Sequence, residues 1–194
     1  TFETLRNRNV NAKELSIVLS NEGDQIHCKM DTDGTVCING LNIDLEKNVF
    51  YLSANRLGFS EMETISPKYK VGIAGEYLFG TFEQEKSSPI DRGLLILNES
   101  ETLSSHINYW LSYILGIKFE MQTEKVSQTK VKVVYKSDDL PNLSPQQLGV
   151  GVSYLVKTLI MCLRSQKGDL LMIENPELHL HPAAQARLGE FFTY

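Results

Sequence analysis

The run Leu170-Leu171-Met172-Ile173, closed by Glu174, constrains this chain more than any other feature. Four apolar side chains in a row cannot alternate between a core and water. The run is therefore expected to be a strand buried on both faces, as in the open sheets of α/β proteins. Gly168-Asp169 turns the chain into it, and a helix is expected to open at Pro182. Proline suits a first helical turn, because its missing N–H had no partner there. Glu174 then stands at the carboxyl end of a buried strand, where open α/β sheets bind ligands. In nucleotide hydrolases a carboxylate so placed holds Mg²⁺, usually through water, while the metal bridges the β- and γ-phosphates. On the strand alone, a surface carboxylate at a strand end is the competing reading.

The rest of the chain supplies mixed elements. Glu14 to Ser20 alternates with Leu15, Ile17 and Leu19 apolar, and Gln25–Met30 and Thr35–Ile38 flank Asp31-Thr32-Asp33-Gly34. That tetrapeptide reads as a hairpin turn. It does not continue into the ligand ladder of a calcium loop. Asn39-Gly40 marks a further turn, and Val49 to Ser53 is a short apolar strand candidate. Residues 54–90 read as irregular, punctuated by Pro67, Gly72, Gly75, Gly80 and Pro89. Glu99 to Leu115 is an amphipathic helix with Leu103, Ile107, Trp110, Leu111, Ile114 and Leu115 on one face and Gly116 as its stop. Two alternating strands follow, around Ile117 to Met121 and Val131 to Tyr135, with Gln122 to Lys130 as their loop. After the polar loop Ser137 to Pro145, Gly149-Val-Gly-Val-Ser153 leads into an apolar helix through Leu163.

With 194 residues, 42% hydrophobic and 22% charged, the chain can bury the core of one domain. A net charge of -5 argues against a surface that binds nucleic acid throughout. Lys130 and Lys132 share one strand face and read as solvated, and Tyr109, Trp110 and Tyr113 at helical spacing read as core rather than as base-stacking platforms. No apolar stretch reaches the ~18 residues of a membrane span, and no signal-peptide core opens the sequence. Cys28, Cys37 and Cys162 form no CxxC pair and are expected to be reduced, with Cys162 filling core and the protein cytoplasmic. Thr1 is no initiator and the last helical pattern is cut at Tyr194, so a fragment of a longer protein is expected.

Isoleucine 173 onward, the sequence IENPELHLHPAAQ resembles the extended Walker B strand and D-loop of ABC/AAA-like ATPases, the group that includes the ATPase part of overcoming-lysogenization-defect (OLD) nucleases. The family pattern is a hydrophobic strand, Glu, then Glu/Gln/Asn, then Pro-Glu-x-His-Leu-His-Pro. Upstream, LSPQQLGVGVSYLVKTLI is similar to the group's glycine-rich signature segment, which stands in for LSGGQ of transporters. VFYLSANR resembles a strand and loop that precede the signature, and VGIAGEYLFG resembles another segment of the group. The resemblance implies an α/β fold, a partial P-loop NTPase domain of ABC type with a β-rich N-terminal part over residues 1–60 and a helical insertion. It implies one incomplete domain over 1–194, in which 99–135 carry a helix and strands. Residues 144–194 would then carry the signature helix, Walker B strand, D-loop and following helix.

Carried over residue by residue, Glu174 takes the place of the acidic Mg²⁺ ligand. Asn175 takes the place of the Glu that orients the attacking water. An amide accepts no proton near neutral pH, so hydrolysis is expected to be slow, to use Glu177, or to borrow a base from elsewhere. Gly149, Gly151 and Ser153 are expected to act in trans on the γ-phosphate of ATP held by a partner copy, and His181 falls at the D-loop position of many ABC ATPases. Glycines allow close backbone approach and a helix N-terminus attracts anions. ATP, Mg²⁺, an ATP-sandwiched homodimer, and a nuclease domain or partner with DNA are the cofactors and partners so implied. DNA repair or phage defence would be the setting.

No GxxxxGK(S/T) occurs, so no segment here cradles the α- and β-phosphates. The chain alone is therefore expected neither to bind ATP tightly nor to hydrolyse it. Two alternatives stay open. Asn175 permits a non-hydrolysing switch that dimerises on ATP. His179-x-His181 also resembles the zinc pair of a metal-dependent hydrolase, but such a site needs further His or Asp ligands, and only His27 and His106 remain.

Overall fold

The computed structural model describes residues 12–21, 24–39, 48–56, 58, 60–138 and 142–194. The chain forms two compact units, residues 1–46 and 47–194. In the first, strands β1 (Glu14–Asn21), β2 (Asp24–Asp31) and β3 (Gly34–Asn39) make an antiparallel meander in that order. The expected turn at 31–34 is present. One Asp31 carboxylate oxygen accepts the N–H groups of Asp33 (2.9 Å) and Gly34 (3.2 Å), which closes the turn. The turn expected at Gly40 lies outside the described residues. Cys28 sits opposite Cys37 in the β2–β3 register and is disulfide-bonded, which corrects the all-reduced reading. Cys162 is free.

The second unit holds the core. Strand β4 (Val49–Leu52) pairs in parallel with β8 (Leu170–Ile173), Leu52 opposite Ile173. Strands β5 (Met62–Thr64), β6 (Phe119–Lys125) and β7 (Lys130–Ser137) form an antiparallel sheet in the order β5-β7-β6. Among the described residues the helices beside them are α1 (Leu78–Glu85), α2 (Leu103–Leu115), α3 (Val150–Leu163) and α4 (Pro182–Thr193). Helix α3 packs on α1, α2 and β8, while α2 also packs on α4 and β6. This is a mixed α/β architecture, as expected. Among the described residues no helix is long and apolar enough to cross a membrane.

Local chemistry explains the boundaries. Helix α2 begins at Leu103 rather than Glu99, because Thr102 is its cap and takes the Ser105 N–H on its hydroxyl. Gly116 ends it in the left-handed region at φ 73. Strand β6 runs on to Lys125, through residues expected to be loop. Its polar Gln122 and Glu124 face outward, while Thr123 points inward and donates to Glu83. Tyr109 and Tyr113 correct the core reading: they stack on each other at 6.4 Å on the exposed side of α2, and only Trp110 is buried. Lys132 pairs with Glu61 at 3.1 Å and Lys130 donates to Thr64 at 3.1 Å, across the β5–β7 pair.

Residues 54–90, expected to be irregular, contain β5 and α1. Strand β5 has only three residues and buries a glutamate, Glu63. Helix α1 has eight residues, no side-chain cap, and Gly80 within it. A Cβ on Gly80 would meet the Thr64 carbonyl oxygen at 2.3 Å, so this glycine lets the helix lie against β5. The reading of β8 as buried on both faces is also corrected. Leu171 and Ile173 pack on the core, but Leu170 and Met172 are 49% and 44% exposed. Their in-register neighbours across the parallel pair are Val49 and Tyr51, and Tyr51 too is exposed. Helix α3 thus covers one face of the β4–β8 pair, and the other is apolar and open among the described residues.

Candidate functional site at the end of the parallel strands

Glu174 follows the last residue of β8, and its N–H donates to the Leu52 carbonyl at 3.0 Å, extending the parallel ladder by one step. The chain leaving β4 wraps back over it. The Ala54 N–H donates to Glu174 Oε2 at 2.9 Å, and the Tyr51 hydroxyl bonds to the same carboxylate. These two donors, the Ala54 amide first, hold Glu174 below the usual carboxylate range. The same contact raises the Tyr51 phenol. Glu174 is exposed, so its remaining lone pairs face water.

Next to it stands Arg56, a residue given no role from sequence. Its side chain is 3% exposed. One guanidinium nitrogen donates to the Glu174 carbonyl and another to the Asn175 carbonyl at 3.3 Å. The guanidinium lies 5.4 Å from the centre of the Tyr154 ring on α3, and the Tyr154 hydroxyl donates to the Arg56 carbonyl at 2.8 Å. Arg56 is the sole charged residue in the stretch Val49 to Arg56. That was the available signal, but its use depends on β4 lying beside β8.

Asn175 adopts φ 42, in the left-handed region, where asparagine is among the few residues at ease. Its carbonyl also accepts the Leu178 N–H at 3.1 Å, which curls the loop. The amide at the expected water-orienting position therefore has a backbone reason to be there. Glu177 is half-buried in the same loop, and its carbonyl accepts the Leu180 N–H at 3.1 Å. His179 is a second left-handed residue, φ 63, and its ring lies 5.6 Å from that of Tyr154. His181 caps α4, Nδ1 accepting the Ala183 N–H at 3.3 Å. The two histidines thus serve different contacts. Among the described residues no group of three or more His, Cys, Asp or Glu side chains is placed to hold a metal ion.

Gly149 is the exposed N-cap of α3. Gly151, two residues on, is buried against the loop: a Cβ there would stand 2.4 Å from the His179 carbonyl oxygen. Ser153 is 2% exposed. It shares the core face of α3 with Val156 and Ile160, beside the buried Tyr135 hydroxyl, so its own hydroxyl is turned away from solvent. The structure therefore gathers Glu174, Asn175, Glu177 and Gly151 around one loop and sets Ser153 inside. His106, the other histidine of this unit, is buried and structural, its Nε2 accepting the Ile96 N–H at 3.3 Å.

A single exposed, ionised carboxylate is what a protein commonly contributes to Mg²⁺ when phosphate oxygens and water complete the shell. Glu174 fits that share. The phosphate cradle is not in this sequence.

Residues 40–194 match the protein-family model described as AAA domain, putative AbiEii toxin, Type IV TA system. The chain belongs to this AAA family. An ATP-binding, ATPase-like role follows for the AAA domain, and the Glu174 loop lies inside the matched region. The β1–β3 meander lies outside it. No curated protein and no solved structure matches the chain.

Proposed function

We propose that this AAA domain supplies the signature and Walker B elements of an ABC-type ATPase that closes as an ATP-sandwiched dimer, in the manner of the ATPase part of OLD nucleases. Glu174 would hold Mg²⁺ shared with the nucleotide phosphates, and the metal would neutralise charge building on them. The exposed main chain of Gly149, at the positive end of α3, would approach the γ-phosphate bound by the partner copy. Ser153, being buried, would act there only after a rearrangement of α3. The α- and β-phosphates would be held by a P-loop outside these residues. His181, at the D-loop position, would meet the partner copy, and the driven process would be nuclease action in DNA repair or phage defence.

One observation carries this reading: an exposed carboxylate, held ionised by Ala54 and Tyr51, at the joint end of two parallel strands. A second reading is favoured by Asn175, whose side chain is no base. In it the domain binds ATP and dimerises without turnover. Nucleotide binding and phosphate release, measured on the full-length protein and its Glu174→Gln variant, separate the two. Turnover in the wild type, lost in the variant with ATP still bound, supports the ATPase. Nucleotide-dependent dimerisation without turnover in either supports the switch. No nucleotide binding by the full-length protein sinks both.

A further inference from the structure

We infer that Arg56 positions the Glu174 carboxylate by tying the turn after β8 to the second turn of α3. The inference rests on the ATPase reading for its catalytic consequence, and on geometry alone for the tie itself.

The backbone of Glu174 is held from both sides. Its N–H reaches the Leu52 carbonyl and its C=O receives the Arg56 guanidinium. The next carbonyl, of left-handed Asn175, receives the same guanidinium. A cation this deeply buried needs such partners, since its desolvation is costly otherwise. Among the described residues no carboxylate accepts a hydrogen bond from it, and Nε makes none. The Glu177 and Glu174 carboxylates act on it only through space. Its two hydrogen bonds are spent on fixing main chain, which sets the direction in which the Glu174 side chain leaves.

Tyr154 holds Arg56 at both ends, its ring against the guanidinium and its hydroxyl on the carbonyl. Tyr154 also meets the His179 ring, and Gly151 backs onto the His179 carbonyl. The first two turns of α3 and the loop 174–179 therefore move as one body. A displacement of the Gly149 end, such as contact with a phosphate would cause, passes through Tyr154 and Arg56 to the two carbonyls and so to the Glu174 carboxylate. Arg56 is a positioning residue for that carboxylate.

The test uses the full-length protein with Arg56→Met, Arg56→Lys and Tyr154→Phe. Hydrogen exchange is read first, at the Leu178 and Leu180 amides against those of Val133 and Tyr135 in β7. Arg56→Met should speed exchange at the two loop amides by about tenfold or more and leave β7 unchanged, with a smaller rise in Tyr154→Phe. Unchanged loop exchange overturns the inference whether or not the protein hydrolyses ATP. Turnover is read second. Arg56→Met should lower kcat by about tenfold or more, hold KM for ATP within about threefold, and raise the Mg²⁺ concentration for half-maximal rate; Arg56→Lys should recover part of the loss. A raised KM with kcat intact would overturn it, since Arg56 would then be binding nucleotide. If Arg56→Met does not fold, Tyr154→Phe, which loses one hydroxyl, carries both readouts. If the wild type has no turnover, the ATPase reading falls and the exchange result still decides the role of Arg56.

Discussion

The Glu174 carboxylate accepts the main-chain N–H of Ala54 at 2.9 Å, although 120 positions separate the two residues. The contact exists because β4 and β8 run side by side and end together. A donor from one strand's exit thereby reaches the acid on the other's.

That contact and the Tyr51 hydroxyl set a pH dependence. The folded pKa of Glu174 lies below its unfolded value. Its contribution to stability is thus present above the unfolded value and lost as pH falls through the folded one. In ¹³C NMR the Glu174 carboxyl should titrate below the ordinary ~4.3 of a glutamate, and Tyr51→Phe should move it upward. A midpoint indifferent to that substitution would remove Tyr51 from the account.

Asn175 at φ 42 should tolerate glycine and resist alanine. Asn175→Ala is expected to cost about 1 kcal/mol in urea denaturation, and Asn175→Gly clearly less. Equal costs would mean that the left-handed backbone is not what selects the residue.

Lys157 and Glu63 are buried in the core, where burial raises the Glu63 carboxyl and lowers the Lys157 ammonium, and the charge of each offsets part of the other's shift. Lys157→Met alone should destabilise by about 1–3 kcal/mol, because it removes a cation that offsets part of the burial cost of Glu63. Adding Glu63→Gln should restore part of that. A double variant as unstable as the sum of the singles would show that the two groups do not interact.

Burial pushes the Cys162 thiol up to about 12. The native thiol should therefore resist iodoacetamide at pH 8 and react on unfolding. Its folded pKa exceeds the unfolded one, so this contribution to stability is intact below the unfolded value near ~8.5 and is lost as pH rises from there toward the folded value. Rapid native alkylation would contradict the burial.

The parts of the fold that are legible in the sequence are those with a repeating or unbroken pattern. Helix α2 and the first meander declare themselves by period, and the strand before Glu174 by its unbroken apolar run. Strand β5 and helix α1 do not, being too short for a period and lacking a cap. The apolar run in β8 announces a strand but cannot say whether both faces are covered. Ser153 could have been placed inside, since Val156 and Ile160 share its helical face. Arg56 could not be found this way. Its role is to touch carbonyls, which leave no trace in residue identity, and those carbonyls arrive only through a parallel pairing across most of the chain.

The β4–β8 pairing also sets when this protein can become competent. Closing a loop of 120 residues costs about 4 kcal/mol of chain entropy, whereas β6 and β7 meet across a four-residue turn, 126–129. Local pieces are therefore expected to form early and the parallel pair late. Until it forms, Glu174 has neither Ala54 nor Tyr51 beside it, and Arg56 has no carbonyls to hold. A half-folded chain carries every residue of the site and none of its geometry, so completion of the fold is itself the step that arms it.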